Sequence, residues 1–423
     1  MLELPPLSLY VHLPWCVRKC PYCDFNSYGL RDALPEVQYV DALERDMAAQ
    51  AEAVAGRTVV SVFFGGGTPS LFSPEAIGRV IEAARRHFLV ADDAEITLEA
   101  NPGTVERGRF AGYRAAGVNR VSLGAQSFDA AQLRALGRIH GSDETRVAAA
   151  ELHAAGLDNF NLDLMYGLPG QDAEGAVRDV EQALALQPAH LSHYQLTIEP
   201  GTVFAAHPPQ LPQDELSDAM LEGCQHRLAE AGFARYEVSA YARPQRRCRH
   251  NRNYWQFGDY VGIGAGAHGK ITDARAGQIV RTWQLREPRR YLGAVPKAGF
   301  ERIVEPGDLP FEYMMNALRL TDGFIAGDFS RFTGVPWLAI ASRMTRLEGR
   351  GLLTRSGQRW QASALGMRFL NDVLTDFLPE RAERTPGVPL STAALAAPVR
   401  YSQADSAGTA NERITCETGQ VAE

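Results

Sequence analysis

Cysteine is scarce, with six among 423 residues. That is too sparse for the disulfide framework on which small secreted domains depend, and it fits a chain kept in a reducing compartment. No run of eighteen apolar residues occurs, so no bilayer-spanning helix is expected. The first residues lack a basic stretch followed by an apolar segment, so no secretory signal is expected either, and the expected location is cytoplasmic. Charge of one sign is also in short supply. Lys and Arg number 43 against 50 Asp and Glu, a net −7, which argues against a broad electrostatic footprint for nucleic acid. What is present, 45% apolar and 22% charged residues, suits a globular chain with more than one core.

Short apolar segments alternate with longer amphipathic ones, the pattern of β/α units on a parallel sheet. Strands are expected at Leu7–Leu13, Val59–Phe64, Glu95–Glu99, Arg120–Leu123, Asn159–Leu164 and His190–Leu196. Helices are expected at Val37–Ala53, at Ser73–Phe88, where Ser73 caps and Pro74 opens the first turn, and at Gln213–Ala231. Six units by about residue 200 fall short of the eight of a closed barrel, so the fold class is α/β with an open, partial β/α barrel. The barrel core is assigned to 1–240 and a connecting region rich in Arg and aromatics to 241–305. A small helical, winged-helix-like domain is assigned to 306–378, with a strand–turn–strand around Gly349–Gly357. The stretch 379–423, rich in Ala, Thr, Pro and Ser, reads as a disordered tail that includes Cys416.

Three of the six cysteines, Cys16, Cys20 and Cys23, form a C-x3-C-x2-C array directly after the first expected strand. Three thiolates on one loop can hold three corners of a [4Fe-4S] cube and leave the fourth iron open to a small molecule. A structural zinc site needs four closed ligands, and Phe25 stands where a further cysteine might follow. The turn Gly65-Gly-Gly-Thr-Pro69 after the second strand permits close main-chain approach to a ligand, or serves as a tight strand-to-helix turn. Glu99, Gln126 and Asp163 fall at or near the C-terminal ends of expected strands, where β/α folds place ligands. Carboxylates there suit ribose hydroxyls or an ammonium group, or cap the following segment. Arg138 suits a ligand carboxylate or a solvated helix face.

Together these motifs resemble the radical S-adenosylmethionine (SAM) superfamily. More narrowly, Tyr10-Val-His-Leu-Pro-Trp-Cys16, Cys20-Pro-Tyr-Cys-Asp-Phe-Asn26 and Asn161-Leu-Asp-Leu-Met-Tyr-Gly-Leu-Pro169 resemble the HemN/HemW group, over about residues 7 to 377. The resemblance implies a [4Fe-4S] cluster on Cys16, Cys20 and Cys23, with SAM chelating the open iron and yielding a deoxyadenosyl radical on reduction. It implies SAM contacts from Tyr10, Gly66, Gly67, Thr68, Glu99, Gln126, Arg138 and Asp163, and it places Tyr22 against the adenine or in packing.

The group contains an oxygen-independent coproporphyrinogen III oxidase and a heme chaperone. The oxidase pattern carries a fourth cysteine where this chain has Phe25, and a long extension where only fifteen residues precede Cys16. The stretch Cys248-Arg-His-Asn-Arg-Asn-Tyr-Trp255 contains H-N-x-x-Y-W, which resembles the chaperone's heme motif, and Asp259–Gly269 follows as in the chaperones. His250 offers an axial nitrogen, with Tyr254, Trp255 and Phe257 as apolar plates and Arg243, Arg246, Arg247, Arg249 and Arg252 for propionates. Cys248 is a competing ligand, and a lone histidine of this kind is commonly structural. The expected function is heme binding and delivery to acceptor hemoproteins, with respiratory-chain proteins at the membrane among the recipients. The oxidase is the alternative, and a radical SAM RNA-modifying enzyme the third reading. Gly264–Gly269 fits G-x-G-x-x-G without the βαβ context of a dinucleotide site.

Overall fold

The computed structural model describes residues 2–103, 108–294 and 299–379. The tail expected from 379 onward therefore lies, beyond Pro379, outside the described residues.

Six strands run parallel in chain order: β1 (Leu7–Leu13), β2 (Thr58–Gly66), β3 (Leu89–Ala100), β4 (Arg120–Gln126), β5 (Phe160–Tyr166) and β6 (His190–Gln195). A hairpin, β7 (Ala234–Glu237) and β8 (Ala240–Ala242), adds antiparallel beside β6. The chain then returns to the other edge. There β9 (Asp259–Ile263) lies parallel to β1, and β10 (His268–Asp273), β11 (Gln278–Trp283) and β12 (Phe300–Ile303) continue antiparallel. The twelve-stranded order is β12-β11-β10-β9-β1-β2-β3-β4-β5-β6-β8-β7, so the barrel is open. The segment 241–305 thus contributes four strands to the barrel's own sheet. The seventh parallel strand is five residues long, too short to announce itself by periodicity.

Burial explains the layering. Leu9 and Val11 of β1 point to the outer helices Glu36–Gln50 and Pro74–His87 and form one apolar core with Val62, Phe64, Ile96 and Leu98. Ser73 accepts a hydrogen bond from the Ala76 backbone N–H at 3.1 Å and Pro74 begins the helix, the start its sequence signals. The alternate residues face inward and are polar, beginning with Ser8, whose hydroxyl meets that of Ser61 at 2.7 Å.

A second core holds Tyr313, Met314, Phe329, Ile340, Leu347 and Trp360. It joins helices Leu309–Ala317, Ala326–Thr333 and Leu338–Gly349 to a three-stranded sheet of Phe324–Ile325, Arg359–Ala362 and Leu353–Ser356, the winged arrangement expected. Leu2 packs into this core, and a fully buried Arg319–Glu237 pair at 3.1 Å links it to β7. Among the described residues no helix is long and apolar enough to cross a membrane.

Candidate functional site: a cysteine loop over the barrel mouth

Pro14 ends β1, and Trp15–Cys16 pairs with Tyr28–Gly29, pinching residues 16 to 28 into a loop above the C-terminal ends of the strands. Hydrogen bonds from Tyr28 N to Pro14 O (2.7 Å) and Leu30 N to Cys16 O (2.8 Å) close its neck, and Cys23 N to Cys20 O (3.2 Å) makes an inner turn. Asn26 anchors it to the rest of the sheet by donating to Ala265 O and Arg286 O, both at 2.9 Å. Cys16 is buried, while Cys20 and Cys23 are partly exposed.

Burial pushes the Cys16 thiol up to about 11, with smaller upward pushes from Cys23 and Cys20 and a downward one from Thr68. Three thiols this close become thiolates together only against a strong positive charge. Among the described residues no three His, Cys, Asp or Glu side chains converge on one metal ion. A cubane needs no such convergence, because each sulfur binds a different iron. The donor set therefore fits a [4Fe-4S] cluster.

The Gly-Gly-Gly-Thr-Pro turn lies directly under this loop, with Gly67 N donating to Leu13 O at 2.8 Å and Thr68 N to Trp15 O at 2.7 Å. Gly66 has φ of 118°, and a Cβ there would stand 2.5 Å from the His12 ring. A Cβ on Gly67 would stand 2.5 Å from Trp15 O. Gly66 is demanded by closeness to His12 of β1 and Gly67 by closeness to the neck of the loop, so the turn is more than a generic strand exit. Gly66 N donates to Glu99 Oε2 at 3.2 Å, fixing the carboxylate at the turn.

Arg138 draws several expected residues together. Its Nη2 donates to Asn101 Oδ1 (2.5 Å) and Gly124 O (2.8 Å), and its Nη1 lies 3.6 Å from Cys20 Sγ. Asn101 in turn donates to Thr68 Oγ1 at 2.9 Å. Gln126 sits in the left-handed region (φ 67°), with its Oε1 accepting from Tyr194 OH at 2.6 Å. Such a backbone is held by its surroundings and is common at ligand sites. Asp163 lies deeper, accepting from Asn161 at 2.8 Å and Ser122 at 3.3 Å. Burial raises its carboxyl above the usual range, opposed by these partners and by Arg120. Tyr10 shares a 2.9 Å hydrogen bond with His12 Nδ1, and His12 Nε2 reaches Asn26 O at 2.9 Å. Tyr22 packs beside Phe204.

His250 is placed elsewhere. The helix Arg249–Trp255 packs inside the barrel against β2 and β1, and Glu95 accepts from the Arg249 and His250 backbone N–H groups at its start. The imidazole is 2% exposed, stacks on Phe63 (4.7 Å between centroids) and shares hydrogen bonds with Ser61 Oγ (3.3 Å) and Tyr254 OH (3.2 Å). Burial, then the Arg120 charge, pushes it down to about 3, so it is neutral. The arginines around it are dispersed: Arg247 pairs with Asp322 and Arg249 with Asp93. Cys248 is fully buried against Glu95, and burial pushes its thiol up to about 12.

Sequence reasoning passed over Asn101, His12, Tyr194 and Asn26 as site residues, although each ties expected residues together. Asn101 had the best signal, standing between Glu99 and a proline at a strand end.

The Radical SAM superfamily model matches residues 10–183, and the HemN C-terminal domain model matches residues 304–369. The chain is 48% identical over 385 residues to the heme chaperone HemW of Escherichia coli (strain K12), covering 90% of this chain and 100% of that protein. It is 34% identical over 403 residues to the mitochondrial radical S-adenosyl methionine domain-containing protein 1 of Mus musculus, covering 91% and 90%. The solved coproporphyrinogen III oxidase (HemN) from Escherichia coli shares the fold, with a TM-score of 0.74 at 23% identity over 88% of this chain and 90% of that one. A cysteine loop fitted for a cluster, a glycine turn packed beneath it and a whole-length match to these relatives have one meaning: the chain belongs to the HemW family of the radical SAM superfamily.

Proposed function

We propose that the protein binds heme beside a SAM-ligated [4Fe-4S] cluster and delivers it to acceptor hemoproteins, a reading in keeping with the name heme chaperone that its HemW relatives carry. The observation that carries this reading is the 48% identity to a heme chaperone along that protein's entire length. Phe25 supports it, since it stands where the oxidase pattern has a fourth cysteine.

Cys16, Cys20 and Cys23 hold the cluster in this proposal, and Tyr10, Gly66, Gly67, Thr68, Glu99, Gln126, Arg138 and Asp163 contact SAM. The bound cluster supplies an open iron and an electron for reductive cleavage of SAM. The chain's own residues do the rest. Gly66 and Gly67 bring bare main chain beneath the loop, and Glu99, held by Gly66 N, presents a fixed carboxylate. Arg138 sets a permanent positive charge beside the Cys20 sulfur and, through Asn101, fixes Thr68. Acceptors in this proposal include respiratory-chain hemoproteins at the membrane, approached from the cytoplasm.

His250 is proposed as an axial heme ligand, at a cost the fold makes plain. Its Nε2 must exchange the Tyr254 hydroxyl for iron, so the helix Arg249–Trp255 has to undock from Glu95.

Reconstituted protein incubated with coproporphyrinogen III, SAM and a one-electron reductant tests the reading against the oxidase. No decarboxylated product is expected. Turnover at enzyme-like rates would overturn the proposal and install the oxidase in its place.

A further inference from the structure

The undocking required of His250 raises the question of which histidine an iron porphyrin can reach in the docked fold. On the inner face of the sheet, residues in register form one row: Phe63 on β2, Tyr10 on β1, Gly262 on β9, His268 on β10, Trp283 on β11 and Phe300 on β12. The pairs Tyr10–Phe63, Tyr10–Gly262, His268–Trp283 and Trp283–Phe300 lie directly opposite one another, and the Tyr260–Lys270 pairing two residues earlier puts Gly262 beside His268. Residues opposite in register share a face. From Tyr10 to Phe300 the row crosses four strand intervals, about 19 Å at the usual spacing.

The row has three properties. Gly262 leaves no side chain between Tyr10, an expected SAM contact, and His268; a Cβ there would stand 2.0 Å from His268 O. Trp283 and Phe300 stack at 5.8 Å and 18°, a flat apolar plate whose Phe300 end is 50% exposed. His268 is half-buried, and among the described residues neither ring nitrogen has a hydrogen-bond partner. Of the other buried histidines, His12, His140, His190 and His250 are hydrogen-bonded through the ring, while His193 Nδ1 has no partner among the described residues. His193 lies on β6, at the far side of the barrel from this row.

We propose that His268 is the axial ligand that an iron porphyrin meets first, with the macrocycle lying along the Trp283–Phe300 plate at the barrel mouth. This rests on the heme-binding reading and changes the ligand it assigns to the docked fold. Iron needs an imidazole nitrogen with a free lone pair, which His268 offers and His250 gives up to Ser61 and Tyr254. Burial, followed by the Arg281 and Arg286 charges, keeps the His268 ring neutral, as ligation requires. Arg286 and, beyond Phe300, Arg302 are exposed, and among the described residues no carboxylate pairs with either, so both are available to propionates. The site lies beside the cysteine loop, since Asn26 of that loop donates to Arg286 O. Heme bound there would stand next to the cluster, whereas the His250 ring is covered, stacked on Phe63 inside the barrel.

The experiment is a hemin titration of the anaerobically reconstituted full chain, with His268→Gln and His250→Gln in parallel and the cluster absorbance as a control on folding. The proposal expects saturable binding in the wild type, loss of the imidazole-ligated spectrum in His268→Gln, and its retention in His250→Gln. An unchanged Soret band in His268→Gln, or loss in His250→Gln alone, overturns it while leaving the chaperone reading standing. No saturable binding in the wild type overturns both. A second measurement needs no variant. Hemin should protect His268 of the wild type from carbethoxylation by diethyl pyrocarbonate, and labelling of His268 that hemin does not reduce would contradict the assignment.

Discussion

Replacing His250 by Ala should destabilise the protein even when no heme is present. The ring is 2% exposed and lies against Phe63 at 4.7 Å, Tyr254 at 4.9 Å and Tyr10 at 6.3 Å. Truncating a large buried side chain to Ala costs about 2–5 kcal/mol, through lost contacts and the cavity left behind. Aromatic pairing adds roughly 0.5–1.5 kcal/mol beyond burial. Ser61 keeps a partner in Ser8 at 2.7 Å, and loss of the bond between the ring and Tyr254 OH adds about 1 kcal/mol. Since these contributions overlap, the expected loss is about 3–4 kcal/mol. Urea unfolding of cluster-free wild type and variant, followed by far-UV circular dichroism, measures it. A loss below about 0.5 kcal/mol, the range of a neutral surface substitution, would mean that the helix is not docked as described. The result also sets the control for any heme assay, because a His250 variant that binds less heme has also lost part of its fold.

Acid should weaken the same packing. The folded-state values of His250 (about 3) and His12 (about 4) lie below the ordinary 6.5, so the unfolded chain takes up protons first as pH falls. Their contribution is complete above pH 6.5, falls between 6.5 and those values, and should be shallower in His250→Phe when unfolding midpoints are compared at pH 7.5 and 5. Cys20→Ala should abolish the visible absorbance of the reconstituted cluster, and a full four-iron complement in that variant would contradict the ligand set. Arg138→Met should leave the cluster in place but weaken SAM binding by about tenfold or more, because Asn101 and through it Thr68 lose their anchor. Equal SAM affinity by calorimetry would remove Arg138 from the site.

Much of this architecture was legible because its signals are local. The strand Leu7–Leu13 and the Ser73-Pro74 helix start are as their sequences imply. The return of the chain to β1 was not legible, since only tertiary pairing with β1 makes Asp259–Ile263 a parallel strand. Its aspartate is fully buried because Lys270 and Arg57 meet it at 2.7 Å, and Arg57 is two hundred residues away in sequence. The cysteine loop and glycine turn were readable from spacing, but their mutual support was not: Asn101 links Arg138 to Thr68 only once three strands are side by side. His250 shows the opposite limit. A motif can name a residue without showing that both its ring nitrogens are already bonded.

The central claim is that this chain carries heme, and an anaerobic titration of the reconstituted wild-type protein with hemin, followed at the Soret band, tests it most directly. The account predicts saturation near one heme per chain with the cluster absorbance intact. A linear, unsaturable rise that matches hemin in buffer would contradict it.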